Sequence, residues 1–353
     1  MDLNICIDFG TCNSVVSYLE DGVLKQLQDD VTSDSLIPTT IYFIHEQMRI
    51  NKKFVDLEPE LDYLIGQASV DLVGSNKDWE NYFFQFKRFL GITSKSVDSY
   101  KDFLQRYNLE YTTDEDTIYF YLTTPDDPDY KIKFSVTELI RLFFKHLKKN
   151  IVKKFNIKES ETSNPIKIIL TCPAYFHDLQ RSQLKRAAEQ AGFEVFKLIN
   201  EPTAAAVFYI SRYSKTEVKD KYIIYDLGGG TIDTTVVEYY PDSNTCEVID
   251  IDGNNGLGGI DIDNILTWDI ISRYSIDKNQ IKWLNKIKKY AEEIKIGLTS
   301  KLNCDIYLEN VPVIRMGKTI WVDNLKISYS RQLFNNLVNN IIDQMVVQLK
   351  ICI

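Results

Sequence analysis

Near the start of the chain stands Ile5-Cys6-Ile7-Asp8-Phe9-Gly10-Thr11, and a closely similar segment, Ile223-Ile224-Tyr225-Asp226-Leu227-Gly228-Gly229-Gly230-Thr231, follows much later. Each segment is typical of a short apolar strand that ends in aspartate and continues into a glycine turn with a threonine. Glycine allows a tight turn, and successive backbone N–H groups in such a turn form an anion-binding nest. The repetition predicts a duplicated fold whose two halves hold one polyphosphate from opposite sides.

The two strand-terminal aspartates are candidates for a metal site. Asp8 and Asp226 each follow apolar strand residues and precede glycine. Mg²⁺ favours one or two carboxylates together with waters and substrate phosphates, so an aspartate beside a phosphate-binding turn suits it. Aspartate is also a common turn former, and that simpler interpretation applies to either copy taken alone. The duplication favours the phosphate and Mg²⁺ interpretation, and with it a nucleotide phosphatase or phosphotransferase.

The composition is that of an ordinary soluble globular protein. The 353 residues are 44% hydrophobic and 26% charged, with a formal net charge of −9. This length predicts two lobes, and the negative charge argues against a nucleic-acid or anionic-membrane partner. Because no apolar stretch approaches a membrane span and the N-terminus lacks a basic signal region, the cytoplasm is the expected compartment.

The cysteines and histidines predict neither a disulfide framework nor a zinc site. The six cysteines are scattered without a Cys-x-x-Cys pair, and the three histidines lack metal-ligand spacing. Cys6 and Cys172 lie in apolar strands, where a reduced thiol behaves as a small hydrophobe.

The order of apolar and polar segments predicts an α/β chain in two parts. We place lobe I at residues 1–216, with a loop-rich insertion at about 41–133. Lobe II occupies 217–353, with an insertion at about 256–330. A polar segment with few large apolar residues separates the two.

Strand and helix signals place a βαβ unit in lobe I. A strand over Ile166–Cys172 is followed by a helix over about 179–191, capped by Asp178, and by a return strand. Parallel pairing through a right-handed crossover is expected. Apolar positions at helical spacing predict further helices over about 136–154 and 331–350.

Further motifs surround the two aspartate–glycine turns. In chain order the set is Ile7-Asp8-Phe9-Gly10-Thr11-Cys12-Asn13-Ser14, Phe86-Lys87-Arg88-Phe89-Leu90-Gly91, Pro173-Ala174-Tyr175-Phe176, Ile199-Asn200-Glu201-Pro202-Thr203-Ala204-Ala205-Ala206 and Asp226-Leu227-Gly228-Gly229-Gly230-Thr231-Ile232-Asp233. Together they resemble the ATPase domain of the heat-shock-protein-70 chaperones, within the actin and sugar-kinase superfamily. The resemblance covers residue 3 to about 345. It implies an α/β, duplicated actin-like ATPase fold (ribonuclease-H-like) with two lobes around a central nucleotide cleft.

The resemblance implies a role for each matching residue. Lys87 would point its ammonium at the γ-phosphate and the attacking water, and Glu201 would orient that water. The implied catalytic residues are Lys87, Glu201, Asp226 and Thr231. The implied Mg²⁺ ligands, which bind the ion mostly through water, are Asp8, Asp226 and Asp233. The implied interdomain relay consists of Pro173 and Arg181. The implied nucleotide contacts are Gly10, Thr11, Cys12, Asn13, Lys87, Gly228, Gly229, Gly230, Thr231, Gly258, Gly259, Glu292, Lys295 and Thr299.

Several of these residues also have a simpler interpretation. Taken alone, Lys87 is an ordinary surface lysine, Glu201 a helix-start carboxylate favoured by the macrodipole, and Pro173 a strand terminator. The resemblance places Glu292, Lys295 and Thr299 on a helix over about 285–299, and their spacing also matches a solvated helix face. The surrounding motifs favour the functional roles.

The chain departs from the family pattern at several points. Cys12 replaces a threonine and so lacks a hydroxyl donor, and Ile260 stands where an acidic residue usually follows the paired glycines. Ile296 replaces an arginine that stacks on adenine, which should weaken base binding by about 1 kcal/mol. The sequence stops at Ile353, before the family's last glycine-rich turn and closing helix, so lobe II is expected to be incomplete.

The activity that the resemblance implies is slow, Mg²⁺-dependent hydrolysis of ATP to ADP, with K⁺ as a further candidate cation. The nucleotide cycle would regulate client binding through a domain absent from this sequence, with J-domain co-chaperones and nucleotide-exchange factors as partners. Two alternatives stay open. One is a non-catalytic homologue that binds partners, which Ile296 and the early stop favour. The other is an actin-like filament protein or a sugar kinase.

Overall fold

The computed structural model describes residues 4–44, 63–74, 81–101, 104, 110–124, 127–157, 165–213, 219–243 and 245–351. Within these ranges strands and helices alternate, which confirms the predicted α/β class. The strands are β1 (Ile5–Phe9), β2 (Asn13–Glu20), β3 (Val23–Gln26), β4 (Ile37–Pro38), β5 (Thr40–Phe43), β6 (Tyr63–Ile65), β7 (Tyr82–Phe84), β8 (Tyr111–Thr113), β9 (Ile118–Thr124), β10 (Asp127–Ser135), β11 (Ile166–Cys172), β12 (Phe193–Asn200), β13 (Asp220–Leu227), β14 (Ile232–Tyr240), β15 (Thr245–Asn254), β16 (Asn303–Leu308), β17 (Val311–Arg315), β18 (Lys318–Val322) and β19 (Leu325–Ser330). The helices are α1 (Gln67–Gly74), α2 (Val136–Lys154), α3 (Asp178–Gln190), α4 (Glu201–Tyr213), α5 (Gly259–Arg273), α6 (Ile281–Ser300) and α7 (Arg331–Ile351).

The largest sheet carries the first aspartate–glycine turn. Its strand order is β12-β11-β1-β2-β3, with β4 paired to β2. β1 pairs in parallel with β11, and β11 pairs in parallel with β12 through α3, as predicted for the βαβ unit. β1, β2 and β3 form an antiparallel meander, and Asp21 and Gly22 make its tight turn with φ of 53° and 75°.

A second antiparallel meander, β13-β14-β15, repeats this arrangement. β13 ends just before the triple-glycine turn, and β14 returns from it. In the register, Asp226 lies opposite Asp233. Each half therefore contains a strand that ends in aspartate, a glycine turn and a returning strand, which is the duplication expected from the sequence.

An aromatic core lies under the first turn. The ring of Phe9 is 5.2 Å from that of Phe144 and 6.1 Å from that of Phe86, centroid to centroid. These phenylalanines come from β1, from α2 and from a 3₁₀ turn over Phe86–Phe89. Because tilted aromatic packing of this kind is directional as well as apolar, it fixes the three elements relative to one another. Asp8 and Lys87 each adjoin a core phenylalanine in the sequence.

The helix starts of the first half follow capping chemistry. At α2, Ser135 Oγ accepts a bond of 3.1 Å from the N–H of Glu138, whose carboxylate accepts from the Ser135 N–H over 2.7 Å. The predicted helix over 136–154 is confirmed. The predicted cap at Asp178 is wrong, because α3 begins at Asp178 itself and the preceding His177 N–H donates to Gln180 Oε1 over 3.1 Å. A carboxylate in this first turn still complements the helix dipole.

The predicted insertions contain more regular structure than expected. In the described part of 41–133 lie two antiparallel sheets, β6-β5-β7 and β10-β9-β8, so the loop-rich interpretation is wrong there. Strands β5 to β8 are only three or four residues long, too short for an alternating pattern to show. In 256–330, α5 and α6 pack with β16 to β19 around a core that includes Ile287 and Tyr329. The lobe and insertion boundaries stay a prediction.

No helix in the described part of the chain combines the length and the apolar character needed to cross a membrane. The described cysteines are free, and Cys352 lies outside the described residues. Helices α6 and α7 contain the predicted helices over 285–299 and 331–350.

Candidate functional site

The first glycine turn connects β1 to β2. Near the end of β1, Asp8 Oδ1 accepts a hydrogen bond of 2.7 Å from Thr171 Oγ1, which lies near the end of the neighbouring parallel strand. A Cβ at Gly10 would lie 2.1 Å from the carbonyl oxygen of Asn13, so this turn requires glycine. Burial, with smaller charge effects around it, raises the pKa of the Cys12 thiol to about 11, so this side chain is neutral at pH 7.

The second glycine turn is held by backbone hydrogen bonds. The Gly228 N–H donates to the Thr231 carbonyl over 3.0 Å. The Gly259 N–H donates to the Gly228 carbonyl over 3.1 Å, and the next N–H along the chain donates to the Gly229 carbonyl over 2.9 Å. The Gly258–Gly259 turn at the start of α5 is therefore seated directly on the second glycine turn.

The two glycine turns face each other at close range. A Cβ at Gly229 would lie 2.3 Å from Cys12 Sγ, and a Cβ at Gly230 would lie 2.8 Å from Thr11 Cγ2. Real Cβ atoms essentially never make contacts this short, so a side chain at either position would displace the facing side chain of the first turn. The structure thus brings together the predicted phosphate-binding residues of both halves. Their contacts with phosphate stay a prediction.

A buried ion pair lies within electrostatic reach of these turns. Lys87 Nζ donates to Glu201 Oε1 over 2.8 Å, and the two side chains are only 2% and 16% exposed. Burial raises the pKa of Glu201 to about 7; Lys87 opposes the rise, and Asp8 and Asp233 add to it. Burial opposes the charge on Lys87, but Glu201 and Asp8 outweigh it and raise the pKa of that ammonium. At neutral pH, Glu201 is therefore poised between its two protonation states.

Asp226 and Asp233 form a second electrostatic feature. Burial is the main cause that raises the pKa of both carboxyl groups; Asp8 adds to the rise at Asp226, and Asp226 adds to the rise at Asp233. Asp233 is 1% exposed; its Oδ1 accepts from the Tyr175 N–H over 3.0 Å, whereas its Oδ2 is buried without a hydrogen-bond partner. Across the described residues, no three His, Cys, Asp or Glu side chains converge closely enough to ligate a metal directly. An unpartnered buried carboxylate oxygen fits a hydrated cation such as Mg²⁺.

Arg181 organises the turn that follows β11. Its guanidinium donates to the carbonyls of Phe176 over 2.7 Å and of Pro173 over 3.3 Å, and to Asn200 Oδ1 over 2.8 Å. The same turn reaches the second half of the chain through the Tyr175 N–H described above. The structure therefore brings the two predicted relay residues, Pro173 and Arg181, into contact. Their relay role stays a prediction.

Helix α6 carries the predicted ribose- and base-binding residues. Lys295 Nζ lies 2.7 Å from Asp263 Oδ2, so this residue is directed at the start of α5. Thr299 Oγ1 donates to the Ile296 carbonyl of its own helix over 2.6 Å, and Glu292 is exposed. Burial, opposed by Lys295, raises the pKa of Asp263 to about 6. The three predicted residues share a helix, but they differ in their surroundings, and their nucleotide contacts stay a prediction.

The sequence model of the family described as Hsp70 protein matches residues 4–353. The chain belongs to the Hsp70 family. One Hsp70 relative, the chaperone protein DnaK of Thermosipho melanesiensis, is 36% identical over 227 residues, which are 61% of this chain and 35% of the relative. Another, the chaperone protein DnaK of Mycoplasmopsis synoviae, is 29% identical over 343 residues, which are 96% of this chain and 47% of the relative. The chain therefore spans less than half the length of these Hsp70 relatives.

Membership of the Hsp70 family confirms the predicted actin-like ATPase fold. Two of the expected departures from the Hsp70 pattern can be placed in it. Ile260 is 8% exposed and packs at the start of α5, whereas Ile296 is 59% exposed on α6. Ile296 thus presents an apolar side chain to solvent on the helix that was predicted to contact the base.

Sequence reasoning missed a second buried ion pair, which lies beside the second glycine turn. Arg88 Nη2 lies 3.1 Å from Asp261 Oδ2, and the two side chains are 1% and 5% exposed. The available signal was Arg88 itself, a second cation beside Lys87 between apolar residues. Its partner follows the paired glycines far along the chain, so no local pattern joins them. The Lys295–Asp263 pair was missed for the same reason.

Proposed function

We propose that this chain is the ATP-binding, slowly ATP-hydrolysing domain of an Hsp70-type molecular chaperone. The observation that carries the proposal is the buried Lys87–Glu201 pair beside two facing glycine turns. Turns rich in backbone N–H groups suit a polyphosphate, and a lysine and a glutamate suit its terminal phosphate and the attacking water. The relatives named as DnaK chaperones support the assignment. The family match favours it over a filament protein or a sugar kinase.

In this proposal the chain's own residues mainly position charge, which is most of what phosphoryl transfer requires. The turn N–H groups around Thr11 and Gly229 hold the phosphate oxygens, with the Thr231 hydroxyl beside them. The Lys87 ammonium supplies positive charge at the terminal phosphate. Because Lys87 bonds to Glu201 Oε1, the other oxygen of Glu201 is left to orient the water and accept its proton. A base with a pKa of about 7 is well matched to that task near neutral pH.

The proposed cofactors are ATP and ADP with Mg²⁺, and K⁺ is a further candidate. Asp226 and Asp233, together with Asp8, would hold Mg²⁺ mostly through its waters. When bound, Mg²⁺ neutralises phosphate charge. The unpartnered Oδ2 of Asp233 supports this assignment.

The remaining roles are proposed for the complete protein. Glu292, Lys295 and Thr299 would contact the ribose and base, and Pro173 with Arg181 would relay the nucleotide state to a partner domain. The chain covers less than half of its DnaK relatives, and client binding, with J-domain co-chaperones and nucleotide-exchange factors as partners, is proposed from the resemblance to them. The cytoplasm is the proposed compartment.

Thermal unfolding with and without Mg²⁺-ATP tests the binding step. A ligand at 100 times its Kd should stabilise the native state by about 2.7 kcal/mol, which corresponds to an increase in Tm of a few degrees. Single-turnover hydrolysis then tests the chemistry in Lys87→Met and Glu201→Gln, with exposed Lys197→Met as the matched control. We expect both site variants to lose at least about a hundredfold in rate, in line with general acid–base magnitudes, and the control to match wild type.

The outcomes separate the candidate functions. Absence of any shift at millimolar ATP would overturn the nucleotide-binding proposal. Binding without hydrolysis in wild type would support the non-catalytic, partner-binding alternative, which the exposed Ile296 favours. Unchanged rates in both site variants would exclude the assigned roles of Lys87 and Glu201.

A further inference from the structure

The Arg88–Asp261 pair joins two distant parts of the chain beside the glycine turns. Arg88 Nη2 lies 3.1 Å from Asp261 Oδ2 and 3.4 Å from Asp261 Oδ1, so both carboxylate oxygens are engaged. Arg88 belongs to the 3₁₀ turn of the first half, and Asp261 to the first turn of α5 in the second half. Both residues are at most 5% exposed.

Each partner of the pair also contacts a glycine turn. The stem of Arg88 packs on the second turn, because a Cβ at Gly230 would lie 2.8 Å from Arg88 Cδ. Asp261 Oδ2 accepts a hydrogen bond of 2.9 Å from the Gly258 N–H. The carboxylate therefore holds the Gly258–Gly259 turn while the guanidinium holds the carboxylate to the first half.

A buried ion pair of this kind has a specific energetic signature. Taking both charges out of water is unfavourable, so such a pair often adds little to stability compared with apolar residues of similar size. Removing one partner is far worse, since the other is left as an uncompensated buried charge. The pair thus favours one relative position of the two halves, the one in which the two charges meet.

We propose that Arg88 and Asp261 form a clasp that ties the Gly258–Gly259 turn, which is seated on the second glycine turn, to the first half of the chain and thereby sets how long a nucleotide stays bound. The role in nucleotide retention rests on the proposed ATP site. In this proposal, a nucleotide whose phosphates contact both turns is released faster when the turns part, and parting them separates the ion pair. Both residues act as positioning residues, because Arg88 packs on the second glycine turn and Asp261 bonds to the Gly258 N–H.

Three variants and one control test the clasp. Asp261→Asn removes the charge and keeps an acceptor for the Gly258 N–H, Arg88→Met removes the other charge, and the double variant removes both. Asp305→Asn is the matched control, since Asp305 pairs with Lys326 at the surface of the second half, 2.8 Å away and 42% exposed. Urea unfolding of each variant establishes that it is folded before comparison.

The first measurement is amide hydrogen exchange without nucleotide. The N–H groups of Gly259 and Ile260, which bond to the second glycine turn, should exchange about tenfold faster in each single variant, equivalent to 1.4 kcal/mol. The control should match wild type. Because the pair acts as one unit, the double variant should exchange no faster than either single variant.

The second measurement is the release rate of labelled ADP in the presence of Mg²⁺. We expect release about tenfold faster in Asp261→Asn and Arg88→Met, and no further increase in the double variant. If the single variants exchange faster without nucleotide but the protein binds no ADP, the clasp proposal stands and the proposed ATP site is refuted. Unchanged exchange in Asp261→Asn, or additive effects in the double variant, would overturn the clasp. If Arg88→Met does not fold, Asp261→Asn decides the question alone.

Discussion

Replacing Asp233 by asparagine should strengthen the ligand-free protein while weakening its response to Mg²⁺-nucleotide. Burial is the main reason that the pKa of this carboxyl is raised, and its Oδ2 has no hydrogen-bond partner. An asparagine keeps an acceptor for the Tyr175 N–H and removes the repulsion with Asp226. Asparagine still leaves one polar atom unpartnered at the Oδ2 position, so the gain comes from losing the buried charge. Because an unsatisfied charged group costs more than a neutral one, we expect Asp233→Asn to raise the free energy of unfolding by about 1 kcal/mol at pH 7.5.

The pH dependence of this gain has a definite sign. Because the folded-state pKa of Asp233 is raised, its ionised form opposes folding, and the penalty grows as pH rises through that pKa. The advantage of Asp233→Asn should therefore shrink as pH falls and vanish once the wild-type carboxyl is protonated in both states. Urea unfolding at a series of pH values measures it. In the control Asp305→Asn, the salt bridge to Lys326 lowers the pKa of the wild-type carboxyl, so any effect should have the opposite sign.

The response to ligand completes the test. Wild type should gain about 2.7 kcal/mol at 100 times the Kd for Mg²⁺-ADP. Asp233→Asn should gain less at the same concentrations, because one of the proposed metal ligands is lost. A ligand-free variant that is less stable than wild type at pH 7.5 would refute the reasoning, and an undiminished ligand response would remove Asp233 from the metal site.

Three further outcomes are expected. The wild-type hydrolysis rate should rise about tenfold between pH 6 and pH 8, because the proposed base is the ionised form of Glu201, whose pKa is about 7. In single-turnover assays, Glu201→Gln should be slow, and its rate should not change with pH over this interval. Gly229→Ala places a Cβ 2.3 Å from Cys12 Sγ and should lower stability by about 1–3 kcal/mol in urea unfolding, whereas Gly256→Ala places a Cβ 3.5 Å from Asn254 Oδ1 and should have little effect. Arg181→Met removes charge-assisted hydrogen bonds to the turn after β11 and should lower the free energy of unfolding by about 2–3 kcal/mol.

Each of these expectations has a contrary result. A hydrolysis rate that falls from pH 6 to pH 8 would exclude Glu201 as an ionised base. Equal stability of the Gly229→Ala and Gly256→Ala variants would show that the two glycine turns do not approach as closely as described. Wild-type stability in Arg181→Met would mean that the turn is held by its other contacts.

Local chemistry in the sequence was enough to predict much of the fold. Apolar residues at helical spacing predicted α2, and the repeated aspartate–glycine–threonine unit predicted that each half carries a strand that ends in a glycine turn. These features depend on neighbours within a few residues. The short strands of the first insertion could not be predicted in this way, because three or four residues are too few to show the alternating apolar pattern of a strand.

The candidate site was only partly predictable. Its glycines, Lys87, Glu201 and the aspartates were found because motifs mark them. The cap at Asp178 was predicted wrongly because Gln180 accepts from the N–H before it, and several polar side chains compete for such positions. The Arg88–Asp261 pair could not be predicted, since charge pairing across a fold depends on which surfaces meet.

The phenylalanines beside Asp8 and Lys87 have a calorimetric consequence. Phe9 and Phe86 pack against each other in the core, with ring centroids 6.1 Å apart, while their sequence neighbours supply a carboxylate and an ammonium to the site. Because each of these side chains is one residue from a core ring, we expect melting of the core to disturb their arrangement. Heating should therefore abolish the near-ultraviolet aromatic signal and nucleotide binding in one cooperative heat-absorption peak.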